Sequence, residues 1–232
     1  MPDPAIPESV LRQFYAYDRD LPLDPQTRVV QESETMRVER FEITSRHEER
    51  VPGLILRDPQ ADGARPAVLL AHPATLDKGS DYILWPAQEW VGRGLVCVSI
   101  DQAAHGERAK RPHNMEDFFR HPQRQADETI QTAVDWMRVL DYLEGREEVD
   151  ASRIAFVGFS LGGRRGAPFV GLDARVRAAA FCITGVATKT PSDETARLAQ
   201  AITDPLTFAP YMSGRATLIV AGRRDDIAPP QA

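Results

Sequence analysis

The sequence predicts an α/β domain: a doubly wound, mostly parallel sheet with an antiparallel edge at its N-terminal side. Three observations carry this. Short, near-continuous apolar runs recur, among them "AVLLA", "LVCVSI" and "RIAFVGF", the mark of strands covered on both faces. Helix-length segments lie between them, some with apolar residues at helical spacing. Ahead of these, "MRVERFEITSR" alternates apolar and polar residues at period two, the mark of a strand with one wet face. Strands alternating with helices give right-handed βαβ units, and the site of such a sheet lies at the carboxyl ends of its strands.

The elements follow in order. Residues 1–35 read as a proline-rich N-terminal arm with one helix, "ESVLRQFYAYD", packed on a domain of residues 36–232. "MRVERFEITSR" and "VPGLILRD" form an antiparallel pair across a charged turn. "PAVLLAHP" is the first buried strand, followed by a helix from about Asp81 to Arg93 that ends at Gly94. "LVCVSID" is the second. After a polar loop comes a long helix, roughly Gln123 to Glu144, with Ile130, Val134, Met137 and Leu140 on one face. "RIAFVGF" is the third buried strand, with a helix beginning after Ser160. "VRAAAFCITG" is the fourth, a helix falls around Asp193 to Ile202, and "ATLIVAG" is the fifth.

Composition bounds the function. A chain of 232 residues, 42% hydrophobic and 27% charged, buries a substantial core. A net charge of −6 with no basic stripe argues against a nucleic-acid partner. "MPDPAIPESV" has no apolar core of a secretory signal, and the apolar runs are far too short to span a membrane. Cys97 and Cys182 sit in apolar strands and read as buried thiols of a reducing compartment, so the expected location is cytoplasmic. Two cysteines make no metal-site pattern.

The chemistry sits at the end of the third buried strand. Gly158-Phe159-Ser160-Leu161-Gly162 fits G-x-S-x-G, with a strand before and a helix after. Nine serines and fifteen glycines in this length give roughly 0.04 chance matches. The turn is so tight that side chains two before and two after the serine would clash. Glycine at both positions relieves this and lifts Ser160 above the sheet, with the following N–H aimed at the same space.

These residues resemble the α/β-hydrolase superfamily, particularly its dienelactone-hydrolase-like and serine-esterase branches. The likeness runs from about Met36 to the end. "LLAHPA" resembles the family's His-Gly oxyanion segment, "SIDQAAHGER" its Asp-x-x-x-His-Gly-x-Arg loop, and "VGFSLGG" its nucleophile elbow. "DPLTFAPYMSGRATLIVAGRRDDIAPP" resembles the approach to its catalytic acid. The resemblance implies Ser160 as nucleophile and the N–H of Leu161 as one oxyanion donor. The second donor belongs to the loop after "LLAH". Pro73 stands where the family often has glycine and has no N–H, which leaves Ala74, or Thr75 as the alternative. Gly222-Arg223-Arg224-Asp225 matches the family's glycine-x-x-aspartate, making Asp225 the orienting acid and Asp226 its loop neighbour.

The histidine is the difficulty. Triads on this fold run serine, acid, histidine along the chain, yet all five histidines precede the elbow. His72 reads as a brace of its loop. His105 belongs to a strand that the family topology puts on the far side of the oxyanion strand, away from the acid. His113 and His121 share that connection, though a long loop can fold over a site, and His47 is remote. Arg164 and Arg165 read as exposed or paired with local carboxylates, with an anionic substrate group as the alternative. The base is therefore expected beyond Ala232, after a further helix and edge strand, so that these residues are the front portion of a longer hydrolase.

The resulting expectation is a serine hydrolase cleaving a small-molecule carboxylic ester through an acyl-enzyme, with no metal or organic cofactor. A peptidase, a lactone hydrolase or a carbohydrate-ester hydrolase on the same scaffold is the alternative. Dienelactone hydrolases proper use cysteine, which sets this chain apart from their reaction. A non-catalytic hydrolase-like protein is the rival from another class.

Overall fold

The computed structural model describes residues 6–110, 121–186 and 191–225. In chain order the helices and strands are α1 (Glu8–Phe14), β1 (Gln26–Glu32), β2 (Arg37–Thr44), β3 (Arg50–Arg57), β4 (Arg65–Ala71), α2 (Asp81–Val91), β5 (Val96–Ile100), α3 (Pro122–Leu143), β6 (Val149–Phe159), α4 (Leu161–Leu172), β7 (Val176–Cys182), α5 (Glu194–Ala201), α6 (Pro205–Phe208) and β8 (Ala216–Val220). The strands form one eight-stranded sheet in the order β1-β2-β3-β5-β4-β6-β7-β8. β1, β2 and β3 pair antiparallel, and β3 meets β5 antiparallel. From β5 to β8 every pairing is parallel.

The central strands are apolar on both sides because both sides are covered. Ala67, Leu69 and Ala71 of β4 join the larger core with Trp136 and Phe156. Val68 and Leu70 turn the other way and meet Ile83, Ala87 and Val91 of α2. Trp136 of α3 is fully buried, edge-on to Phe156 of β6 and stacked on Phe169 of α4. This aromatic cluster joins the central strand to two helices.

Helix α3 is buried beyond its predicted apolar stripe. Thr132, Asp135 and Arg138 are also shut in: the loop after β5 meets Thr132 and Asp135 through Ala103 and Arg108, and the N-terminal segment runs over Arg138. The Arg138 guanidinium donates to the carbonyls of Leu21 (2.5 Å), Arg19 (3.3 Å) and Thr44 (3.3 Å). Tyr15 in the same segment is buried and donates its hydroxyl to Ile202 O at 2.7 Å. These backbone carbonyls, which a polar pattern cannot announce, and the Asp141 carboxylate at 3.3 Å satisfy this buried cation.

The antiparallel flank has one strand more than expected. β1 falls in the stretch read as an arm and pairs with β2 through backbone bonds, from Gln26 opposite Glu42 to Glu32 opposite Arg37. All seven of its residues are exposed, so no burial alternation marks it. Among the described residues no helix is long and apolar enough to cross a membrane.

The aromatic cluster makes the first prediction. Replacing Trp136 by Ala empties the largest side-chain volume in the core and should cost about 3–5 kcal/mol. Urea unfolding should show a lower midpoint with an unchanged slope. A midpoint equal to wild type would mean that this cluster does not hold the helices to the sheet.

Candidate active site

Ser160 lies between the end of β6 and the first residue of α4, with φ +50° and ψ −113°. A non-glycine residue with that φ costs on the order of 1–3 kcal/mol and persists only where its surroundings impose it. Here they do. The Ser160 N–H donates to Cys182 O at 2.8 Å, and Ser160 O accepts the Arg164 N–H at 3.0 Å. A Cβ on Gly158 would collide with Gly163, one on Gly162 with the carbonyls of Ala71 and His72, and one on Gly163 with the Thr184 side chain. The chain therefore presses the first turn of α4 against the ends of β4, β6 and the β7 loop at once. Gly163 and Thr184 complete a requirement that the five-residue motif states only in part.

Sheet order places the neighbouring loops. β4 pairs with β6 up to Ala71 opposite Gly158, so the loop opening at His72 starts beside the elbow. Pro73 is buried, Ala74 half-buried and Thr75 exposed. Thr75 has φ +66°. On the other side β7 and then β8 follow β6. Asp225 lies in the turn after β8, its N–H donating to Gly222 O at 3.1 Å. Ser160, the 72–75 loop and Asp225 thus share the carboxyl edge of the parallel strands, with Ser160 in the middle.

The upstream histidines belong to the opposite flank. β5 lies beyond β4 from the elbow, and His105 follows it, buried, with Nδ1 3.0 Å from Ala103 O. His72 is fully buried. Its Nδ1–H donates to Pro73 O at 2.8 Å, and its Nε2 accepts the Gln102 N–H at 3.2 Å. The Gln102 side chain in turn donates to His72 O at 2.5 Å. Burial pushes the imidazole down to about pH 4, against the small lift from the Pro73 carbonyl. His72 is a neutral brace of its loop. His121 caps the start of α3, and His47 lies in the β2–β3 turn. His113 and Asp226 lie outside the described residues.

The two arginines after the elbow differ. Arg165 is fully buried, donates to Ala103 O at 2.9 Å and pairs with Glu128 of α3. Burial lowers it to about 10, opposed by Glu128. It ties α4 to α3 and to the β5 loop, so it is neither exposed nor open to substrate. Arg164 is half-buried, lowered by desolvation and opposed only by the charge of Asp204. Among the described residues no group of three or more His, Cys, Asp or Glu side chains is placed to hold a metal ion.

The fold is that of known esterases. An acetyl xylan esterase from Paenibacillus sp. R4 superposes with a TM-score of 0.71 at 20% identity, over 91% of this chain and 76% of that one. Acetyl xylan esterase 1 from Thermoanaerobacterium sp. JW/SL YS485 gives 0.72 at 15% identity, over 96% of this chain and 80% of that one. The "Putative Dienelactone Hydrolase" from Klebsiella pneumoniae subsp. pneumoniae MGH 78578 superposes with a TM-score of 0.64 at 16% identity, over 84% of this chain and 76% of that one. In sequence, the Bacillus subtilis (strain 168) protein named "Putative hydrolase YtaP" is 24% identical over 174 residues, 67% of this chain and 56% of that protein. The match thus spans little more than half of that relative. No protein-family model matches.

The neutral state of His72 has a measurable consequence. Its folded pKa lies below the ordinary value near 6.5, so between about pH 6.5 and 4 the unfolded chain binds the extra proton and the folded chain does not. Stability should fall as pH drops through that window, by roughly 3 kcal/mol at its foot. Urea titrations at pH 7.5 and 4.5 should show His72→Gln losing less stability than wild type between the two. Equal losses would mean that His72 is not the group held neutral.

Proposed function

We propose that this chain carries the nucleophile, oxyanion donors and acid of a serine hydrolase that cleaves a carboxylic ester. The observation that carries the reading is Ser160 at φ +50° with Gly158, Gly162 and Gly163 crowded around it. A fold gains nothing in stability from a strained serine so enclosed, whereas a nucleophile gains exposure above the sheet.

In the proposed reaction Ser160 Oγ attacks the ester carbonyl carbon, and its proton passes to an imidazole. The N–H groups of Leu161 and Ala74 hold the oxyanion of the tetrahedral intermediate. Collapse breaks the bond to the alcohol oxygen, which leaves with the proton from the imidazolium. Water then attacks the acyl-Ser160 ester with the same imidazole as base, releasing the acid and restoring Ser160. Asp225 orients and electrostatically supports that imidazole. No metal or organic cofactor enters any step. Free Cys97, with its thiol pushed up to about 12 by burial, and free Cys182 suit a reducing, cytoplasmic setting.

In this reading the base approaches from Asp225's side of the elbow. His72 is bonded at both ring nitrogens and His105 is two strands away on the other flank. On Asp225's side β8 is exposed along its whole length, with Leu218 58%, Ile219 72% and Val220 44% exposed. We place the histidine in a loop following a further helix and a strand paired with β8, on the order of 30–50 residues given ordinary element lengths.

Two tests follow, both in the natural full-length protein. Ser160→Ala should abolish turnover of a p-nitrophenyl acyl ester, by about 10⁴-fold or more, and labelling by an activated organophosphonate, with folding unchanged. Retained turnover would sink the nucleophile assignment.

The acid is tested by neighbouring substitutions. Asp225→Asn should remove most activity while Asp226→Asn removes far less, compared as kcat/KM on the same ester. The reverse order would assign the role to Asp226.

A further inference from the structure

We infer that Lys78, held by Asp101, is a positioning residue for this reaction: it fixes the far end of the loop that presents Ala74 to the oxyanion. The inference rests on the hydrolase reading above and adds a residue to it.

Among the described residues, the side-chain bonds that tie this loop to other elements fall at its two ends. At its start Gln102 grips His72 from both sides, through its N–H and its side-chain amide. At its end Lys78 is buried. Its N–H donates to Asp101 Oδ1 at 2.9 Å and its Nζ to Asp101 Oδ2 at 2.7 Å. Its Nζ also reaches Glu107 Oε1 at 2.7 Å, and its carbonyl accepts the Ser99 hydroxyl at 2.9 Å. Between these anchors Thr75 and Asp77 are exposed, and Ala74 and Leu76 are half-buried. Ala74 therefore sits on a short bridge whose placement comes from its two ends.

The far anchor is itself built in. Asp101 is fully buried at the end of β5, and its N–H donates to Pro52 O at 3.0 Å. Its Oδ2 also accepts the Glu107 N–H at 2.9 Å. Gly106 has φ +53°, and a Cβ there would run into the Asp101 carboxylate. The loop after β5 thus closes around one carboxylate, which grasps the backbone and the side chain of Lys78 together. A donor that acts on the transition state needs placement within a fraction of an ångström, and an anchored loop supplies it without reorganisation.

The test is Lys78→Met, which keeps the stem and removes the cation. Two readouts are taken: ester kinetics in the natural full-length protein, and amide hydrogen exchange. We expect kcat to fall about 10–100-fold with KM within about twofold, because the oxyanion donor acts in the transition state and not on bound substrate. Exchange over residues 73–78 should quicken while the elbow, residues 158–163, is unchanged. Wild-type kcat, a loss that merely tracks the titrated fraction of folded active sites, or unchanged exchange over 73–78 would each overturn the inference. If the uncompensated Asp101 prevents folding, Lys78→Met with Asp101→Asn removes both charges and is read by the same criteria. Ser160→Ala keeps the two readings apart. Turnover surviving in that variant removes the hydrolase assignment, whereas its loss beside wild-type kcat in Lys78→Met removes only the role of Lys78.

Discussion

The first turn of α4 touches three strand ends at once, and the geometry of the site depends on that contact. Gly162 lies against the end of β4, Gly163 against Gly158 of β6 and Thr184 beyond β7. Any side chain at these glycines would lift the helix off the sheet. With the helix pressed down, the residue between strand and helix is left no room for an ordinary conformation, and Ser160 takes φ +50°. The same contact sets what lies on either side. The loop from β4 begins beside the elbow, and the loop from β7 delivers Cys182 O to the Ser160 N–H. One steric constraint thus produces the strained serine and chooses its neighbours.

The flank on the β5 side is held by buried charge. Asp101 binds Lys78, Asp135 binds Arg108, and Glu128 binds Arg165, each pair joining two separate elements. Glu107 is held down to about 2 by Arg40 and then Lys78, so it stays ionised across the neutral range. A buried pair contributes little net stability over an apolar substitute, but removing one partner costs about 3–5 kcal/mol. Such pairs therefore specify arrangement more than they add stability. Their cations and carboxylates come from loops and helix faces that converge behind the proposed oxyanion loop. The apolar core would tolerate small shifts of these elements; matched charges at under 3 Å would not.

Much of this was legible in the sequence, and the limits have physical reasons. The central strands announced themselves because burial on both faces demands continuous apolar runs, as in "AVLLA". The elbow was legible because sterics admit only glycine around it. β1 was not, since a strand held by backbone pairing alone leaves no pattern in its side chains. The burial of Arg138 and Asp135 lies outside the apolar stripe of α3, because the sequence does not show that the N-terminal segment covers the one and Arg108 the other. Arg165 reads from sequence as exposed or paired with a local carboxylate, with substrate as the alternative; it does pair with a carboxylate, but with Glu128, 37 positions earlier. The motif "SIDQAAHGER" was quoted for its likeness, yet the grip of Asp101 on Lys78 was invisible. Contacts across 23 positions between two loops follow from strand order, and strand order is not written in local spacing.

The two edges of the sheet are made differently, and the difference bears on where the proposed base approaches. β1 exposes Val29 and Val30 but surrounds them with Gln26, Arg28, Gln31 and Glu32, the charged and polar dress of an edge that meets water. β8 exposes Leu218, Ile219 and Val220. Its register continues an apolar surface inward: Val220 lies beside Cys182 and Phe159, and Leu218 beside Ala180 and Val157. On that side of the sheet α2 packs on Leu56, Val68, Leu70 and Cys97, with Tyr82 reaching edge-on to Phe159. Ile219, on the opposite side, is the most exposed of the three. Such a strand has the composition of an interior strand, apolar to both sides, in an edge position. Composition of that kind is stable only when something packs on both faces and pairs with the free backbone. The elements that do so would border the turn holding Asp225, where the proposed reaction needs an imidazole. The exposed strand and the proposed acid thus lie at the same corner of the fold.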